Sequence, residues 1–157
     1  MVARFLLKIP AIDTIGTGER IMKQQKVLIV DDNPVIIKTL SMKLESGGYQ
    51  VISAPDGSEA IASTRKEKPD LIILDINFPE EVGVGWDGFK LIAWLQRIDE
   101  AKGTPIIIIS GGEAAKYKDR SVQAGAIAYF QKPVDNDKLL ELIQKTFNEG
   151  AKKPAQA

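Results

Sequence analysis

Residues 26–34 read KVLIVDDNP. Lys26 to Val30 is a short apolar run, the pattern of a strand buried on both faces. It stops on two carboxylates, Asp31 and Asp32. Asn33 then stands where a helix needs a cap, and Pro34 sits in the first turn. Ile37, Leu40 and Leu44 follow at spacings of three and four, an apolar helical stripe, and Gly47 and Gly48 end the helix. A buried strand, an acidic stop and a capped helix form the opening unit of a βα alternation.

The same unit recurs outward along the chain. Tyr49 to Ser53 reads as a second strand. Asp56, with Glu59 three residues on, caps a helix that runs to about Glu67. Leu71 to Leu74 is a third buried strand, ending in Asp75, and a Gly-rich stretch follows from Asn77 to Trp86. Asp87 caps a helix with Leu91, Ile92, Leu95 and Ile98 on one side. Pro105 to Ile109 is a fourth strand, favoured by its β-branched residues. Glu113 to Ala124 is weakly amphipathic helix, and Ile127 to Phe130 a fifth strand. Asp135 caps a last helix carrying Leu139, Leu142, Ile143 and Phe147. Five strands alternating with five helices predict an α/β fold with a parallel sheet covered on both faces.

Composition narrows the chemistry. The 157 residues suit one domain, with 44% hydrophobic and 27% charged. There is no cysteine and no histidine, which excludes disulfides, thiolate zinc sites, His-ligated metals and Ser-His-Asp triads. Twenty-one basic residues balance 21 acidic ones, so nothing points to a nucleic-acid or membrane surface. No apolar run is long enough to span a bilayer. The stretch MVARFLLKIPAI is broken by Lys8 and Pro10 and lacks the form of a signal peptide, so a cytoplasmic protein is expected.

The expected organisation is an N-terminal extension over 1–25, a domain over 26–148 and a tail over 149–157. The extension lacks a sustained period, and Gly16, Thr17 and Gly18 read as loop. It is expected to be flexible, with a partner-docking segment as the other reading. The tail is expected to be disordered.

Parallel strands deliver their carboxyl ends to one edge, where such sheets bind ligands near a topological switch point. Asp31 and Asp32, Asp75, Ser110 and Lys132 stand at the ends of four different strands. Singly, each has a plain reading: the aspartates as helix caps, Ser110 as a turn residue, Lys132 as a solvated lysine. Jointly, they converge three carboxylates, a hydroxyl and an ammonium on one spot. Clustered carboxylates raise one another's pKa, and a hard divalent cation such as magnesium resolves that. A carboxylate so placed can attack phosphorus to form an acyl phosphate, a reaction governed by positioning and charge neutralisation.

The segments VLIVDDNP, LIILDI, PIIIISG and AIAYFQKP resemble the receiver domain of two-component response regulators, over Lys26 to about Asn148. The resemblance implies a flavodoxin-like (βα)5 sandwich with strand order 2-1-3-4-5. It implies Asp75 as phosphoacceptor and Asp31, Asp32 and the backbone carbonyl of Asn77 as the other groups around Mg2+. Ser110 and Lys132 would hold the phosphoryl group, Tyr129 would be the switch aromatic, and Pro133 would follow a cis peptide bond. The implied partners are a sensor histidine kinase or histidine phosphotransfer protein and a downstream protein target. A stand-alone receiver is expected, with no separate enzyme domain, no direct contact with nucleic acid or membrane, and oligomeric state open between monomer and homodimer. Two departures stand out. Asp75 to Gly88 is thirteen residues, so EEVGVGW reads as an insertion of about five, and Gly111 and Gly112 follow Ser110 where larger residues are usual.

Three other readings fit the residues less well. A phosphorylation-independent receiver-like adaptor would not need the full residue set. A magnesium-dependent phosphatase of the haloacid dehalogenase type would want an acid two residues after its nucleophilic Asp, where this chain has Asn77. A nucleotide-binding module lacks a phosphate-loop glycine pattern after the first strand.

Overall fold

The computed structural model describes residues 12–14, 20–77, 87–111 and 114–149. Its centre is a five-stranded parallel sheet of β3 (Lys26–Val30), β4 (Gln50–Ala54), β5 (Leu71–Asp75), β6 (Ile106–Ser110) and β7 (Ala128–Gln131), in the order β4-β3-β5-β6-β7. Counted from β3 along the chain, this is the order 2-1-3-4-5. The helices are α1 (Pro34–Ser46), α2 (Gly57–Glu67), α3 (Gly88–Leu95), α4 (Ala114–Gln123) and α5 (Asn136–Asn148). The architecture is flavodoxin-like.

Alternation along the strands decides which side chain meets which layer. Leu28, Val30, Ile72, Leu74, Ile106 and Ile108 face one side, against Ala60 of α2 and Leu91, Ile92 and Leu95 of α3. Val27, Ile29, Leu71, Ile73, Ile107 and Ile109 face the other, against Leu40 and Leu44 of α1 and Leu139 and Ile143 of α5. Every residue of β5 and β6 is buried. Each such Leu or Ile contributes roughly 1.5–3 kcal/mol over exposure, and this core offsets the cost of holding charged groups at the sheet's edge.

Caps fix where the helices begin. Asn33 accepts from the Val35 amide, Asp56 from Glu59, Asp87 from Lys90, and Asp135 from Asp137 and Lys138. After α1, Gly48 takes a φ of +93°, open to glycine at little cost. Gly88 matters for another reason: a Cβ there would lie 2.4 Å from Ile76 Cα. Only glycine lets the start of α3 press against the backbone just after Asp75.

Several boundaries differ from the sequence expectation. The second core strand begins at Gln50 because the Tyr49 amide donates to Leu44 O, leaving Tyr49 in the turn that closes α1. The fourth begins at Ile106, with Pro105 offering only its carbonyl, to Ile72 N. α3 ends at Leu95, and Ile98 lies beyond it, before a 3-10 turn at Asp99–Ala101, while still packing on the same core. Within 1–25, two short strands pair antiparallel: β1 (Ile12–Thr14) and β2 (Arg20–Met22), with Asp13 opposite Ile21. Sequence periodicity gave no sign of that pair. The loop glycines 16 and 18, most of the stretch after Asn77, including EEVGVGW, and the tail from Gly150 lie outside the described residues.

Candidate functional site at the carboxyl edge of the sheet

β3 runs to edge strand β4, and the chain then returns across β3 to β5, so the switch point lies between β3 and β5. Register aligns Val30 with Leu74, which brings Asp31 and Asp75 to the same level. Asp75 pairs with Ile109, and Ser110 with Gln131, so the hydroxyl and Lys132 arrive at that level too. The structure brings together Asp31, Asp32, Asp75, Asn77, Ser110 and Lys132.

Asp31, Asp32 and Asp75 each offer a carboxylate oxygen, and these oxygens lie within 4.8 Å of one another. Asp31 and Asp75 are buried, whereas Asp32 is exposed. Lys132 Nζ donates to Asp31 Oδ2 and to Asp75 Oδ2, both at 2.9 Å. The remaining oxygens meet backbone amides: Asn33 N donates to Asp31 Oδ1 and Asn77 N to Asp75 Oδ1, each at 2.8 Å. Ser110 is fully buried, and its Oγ accepts from Asn77 Nδ2 at 2.7 Å. Lys132 N donates to Ser110 O, which locks β7's end to β6.

Burial and the neighbouring charge of Asp75 push the Asp31 carboxyl above the usual aspartate range, against the lowering effect of the Asn33 amide and Lys132. For Lys132, burial works toward a lower pKa. The hydrogen bonds to Asp75 and Asp31 outweigh it, and the ammonium is held above its ordinary value. Three carboxyl groups thus share one ammonium among the described ion pairs. Three hard oxygen donors converging beside an exposed opening suit a divalent cation that prefers carboxylates and water.

Tyr129 lies on β7 opposite Ile108 and packs on the core face shared by Leu74 and Leu91. Its Oη is buried without a hydrogen-bond partner among the described residues. The Lys132–Pro133 peptide is cis. Across the same helical layer, Phe89 of α3 lies 6.3 Å from Tyr117 of α4, and the Arg120 guanidinium sits 4.0 Å over the Phe89 ring.

Sequence reasoning points to the backbone carbonyl of Asn77 but misses its side chain, and it misses the close approach of Gly88 to Ile76. Neither leaves a local signal. Asn77 and Ser110 stand 33 residues apart, and Gly88 reads as an ordinary helix-start glycine.

The model of the response regulator receiver domain family matches residues 27–144. The chain belongs to this family. Phosphorylation-based signalling is the general function of its members. The receiver is 36% identical over 118 residues to PilH of Pseudomonas aeruginosa, covering 75% of this chain and 93% of PilH. It is 33% identical over 129 residues to the transcriptional regulatory protein GlrR of Escherichia coli, covering 82% of this chain but only 28% of GlrR's length. Among solved structures, the chemotaxis response regulator CheY4 of Vibrio cholerae superposes with a TM-score of 0.69 at 32% identity, covering 78% of this chain and 98% of that one. A CheY-like receiver domain protein from Methanospirillum hungatei reaches 0.73 at 30% identity, covering 84% and 100%. No helix among the described residues is long and apolar enough to cross a membrane.

Proposed function

We propose that this receiver takes a phosphoryl group from a partner's phosphohistidine onto Asp75 and signals through the resulting change of shape. The observation that carries this reading is Lys132 Nζ, 2.9 Å from both Asp31 and Asp75, whose carboxylate oxygens lie within 4.8 Å of one of Asp32. The ammonium thereby holds a buried carboxylate in place at the carboxyl edge of the sheet. An Asp75 oxygen forms the new O–P bond with a lone pair as the donor's N–P bond breaks, and the imidazole nitrogen keeps that bonding pair. Lys132 then neutralises part of the phosphoryl charge, and Ser110 donates to another phosphoryl oxygen.

Asp31, Asp32, Asp75 and the Asn77 carbonyl are the groups that would hold Mg2+. When bound, the ion would supply positive charge to offset the charge that develops during transfer. The donor comes from outside, since this chain has no histidine. An apolar groove of about 220 Å³ beside Lys132, lined by Val35, Leu40, Pro133 and Val134 among others, supports a protein donor, either a sensor histidine kinase or a histidine phosphotransfer protein. Output is assigned to contact with a downstream protein, or onward relay, from a cytoplasmic receiver spanning residues 26–148. Switching is assigned to inward movement of Ser110 followed by Tyr129. A haloacid dehalogenase-type phosphatase is disfavoured: the Asn77 side chain donates to Ser110 and offers no acid.

Labelling with a small phosphodonor tests the assignment. The wild-type chain should label stoichiometrically in magnesium and lose labelling in excess chelator, and Asp75→Asn should not label. Full labelling of Asp75→Asn, or unchanged rates in chelator, refutes it.

A further inference from the structure

Asn77 makes two bonds into the site. Its backbone N donates to Asp75 Oδ1 at 2.8 Å, and its side-chain Nδ2 donates to Ser110 Oγ at 2.7 Å. One residue thus ties the carboxylate at the end of β5 to the hydroxyl at the end of β6. The polarity of the second bond matters. An amide NH2 can only donate, so Ser110 Oγ is the acceptor, and the bond does not use the hydroxyl's single proton. Ser110 is fully buried while Asn77 is exposed, so the amide reaches in from the rim to fix a group that has little room of its own.

We propose that the Asn77 side chain is a positioning group for phosphoryl capture: it holds Ser110 Oγ from one side so that the hydroxyl serves as a donor to the phosphoryl oxygen bound at Asp75. This rests on Asp75 being the phosphoacceptor. The role differs from that of the Asn77 backbone carbonyl toward the metal, which any residue at this position would supply. It also makes a chemical demand on position 77. An ionised carboxylate there accepts only, so it would draw the Ser110 proton toward itself and away from the phosphoryl group. A donor at 77 preserves Ser110 as a donor, and an acceptor reverses it.

The test uses the full chain with acetyl phosphate in magnesium, measuring the saturating labelling rate and the half-saturating donor concentration separately. Asn77→Ala should lower the saturating rate about three- to tenfold, the worth of one neutral hydrogen bond, with little change in half-saturation. Asn77→Asp should lower it further. Both effects should disappear when each substitution is combined with Ser110→Ala, because the hydroxyl being positioned is gone. A charge effect of Asn77→Asp on metal or donor would persist in that background. Additive losses in the double variants, or an Asn77→Ala rate equal to wild type, overturn the proposal while leaving Asp75 as acceptor. Labelling of Asp75→Asn would instead remove the reading beneath it. Urea unfolding of each variant identifies any loss due to misfolding, and a rate loss that tracks lost folded fraction counts against the proposal.

Discussion

Lys132→Met is the perturbation that most directly interrogates the site. The ammonium is the one cation contacting both Asp31 and Asp75 among the described ion pairs, at 2.9 Å to each, and the two carboxyl side chains are 0% and 3% exposed. Methionine keeps most of the stem's apolar volume, so the loss is chiefly electrostatic. Removing one partner of a buried pair costs about 3–5 kcal/mol, because the charge left behind stays desolvated. Here two carboxylates are left, each retaining one backbone amide. The upper half of that range is therefore expected in chelator, lowering the thermal midpoint by on the order of 10 °C. Two controls follow from the same geometry. Magnesium should restore more stability to the variant than it adds to wild type. Adding Asp75→Asn should recover a large share of the loss by removing one of the two uncompensated charges. The assay is urea unfolding near neutral pH, with chelator or with magnesium. A loss under about 0.5 kcal/mol would be that of a solvated surface pair, and would refute the picture of a desolvated, lysine-balanced cluster.

Three further outcomes are expected. Tyr129→Phe removes a buried hydroxyl with no partner among the described residues and should leave stability unchanged or raise it by up to about 1 kcal/mol; a marked loss in urea unfolding would contradict the unpartnered state. Gly88→Ala drives a Cβ to 2.4 Å from Ile76 Cα and should cost about 1–3 kcal/mol while slowing labelling, and a neutral result would refute the close approach. Because the Asp31 carboxyl is pushed up from 3.8 by burial, the folded state binds its proton more tightly than the unfolded chain does. Asp31's contribution to stability in chelator should therefore fall as pH rises from 3.8 through the raised value; Asp31→Asn should remove that component of the slope, and a slope unchanged by the substitution would refute the shift.

The core strands, the helices and four caps could be read from the residues. Burial on both faces writes a run such as Leu71–Leu74 into the sequence, and a cap is a contact between residues two or three positions apart. Boundaries slip where a bond that side-chain periodicity does not show decides them: Tyr49 reads as strand, but its amide bonds back to Leu44 O and closes α1. The β1–β2 pair was missed because three-residue strands are too short to show a period.

For the site, sequence alone determined which groups exist and that each ends a strand: Asp31, Asp32, Asp75, Ser110 and Lys132. It also determined that none of these 157 residues could bring a histidine or cysteine to the chemistry. Tertiary structure decided how they are wired. That Lys132 reaches Asp31 across 101 residues and Asp75 across 57 depends on register in a sheet ordered β4-β3-β5-β6-β7. The reach of Asn77 across 33 residues to Ser110 depends on it too. Periodicity reports only which face a side chain takes; which partner it meets there follows from strand order and register, which the packing of all five strands sets together.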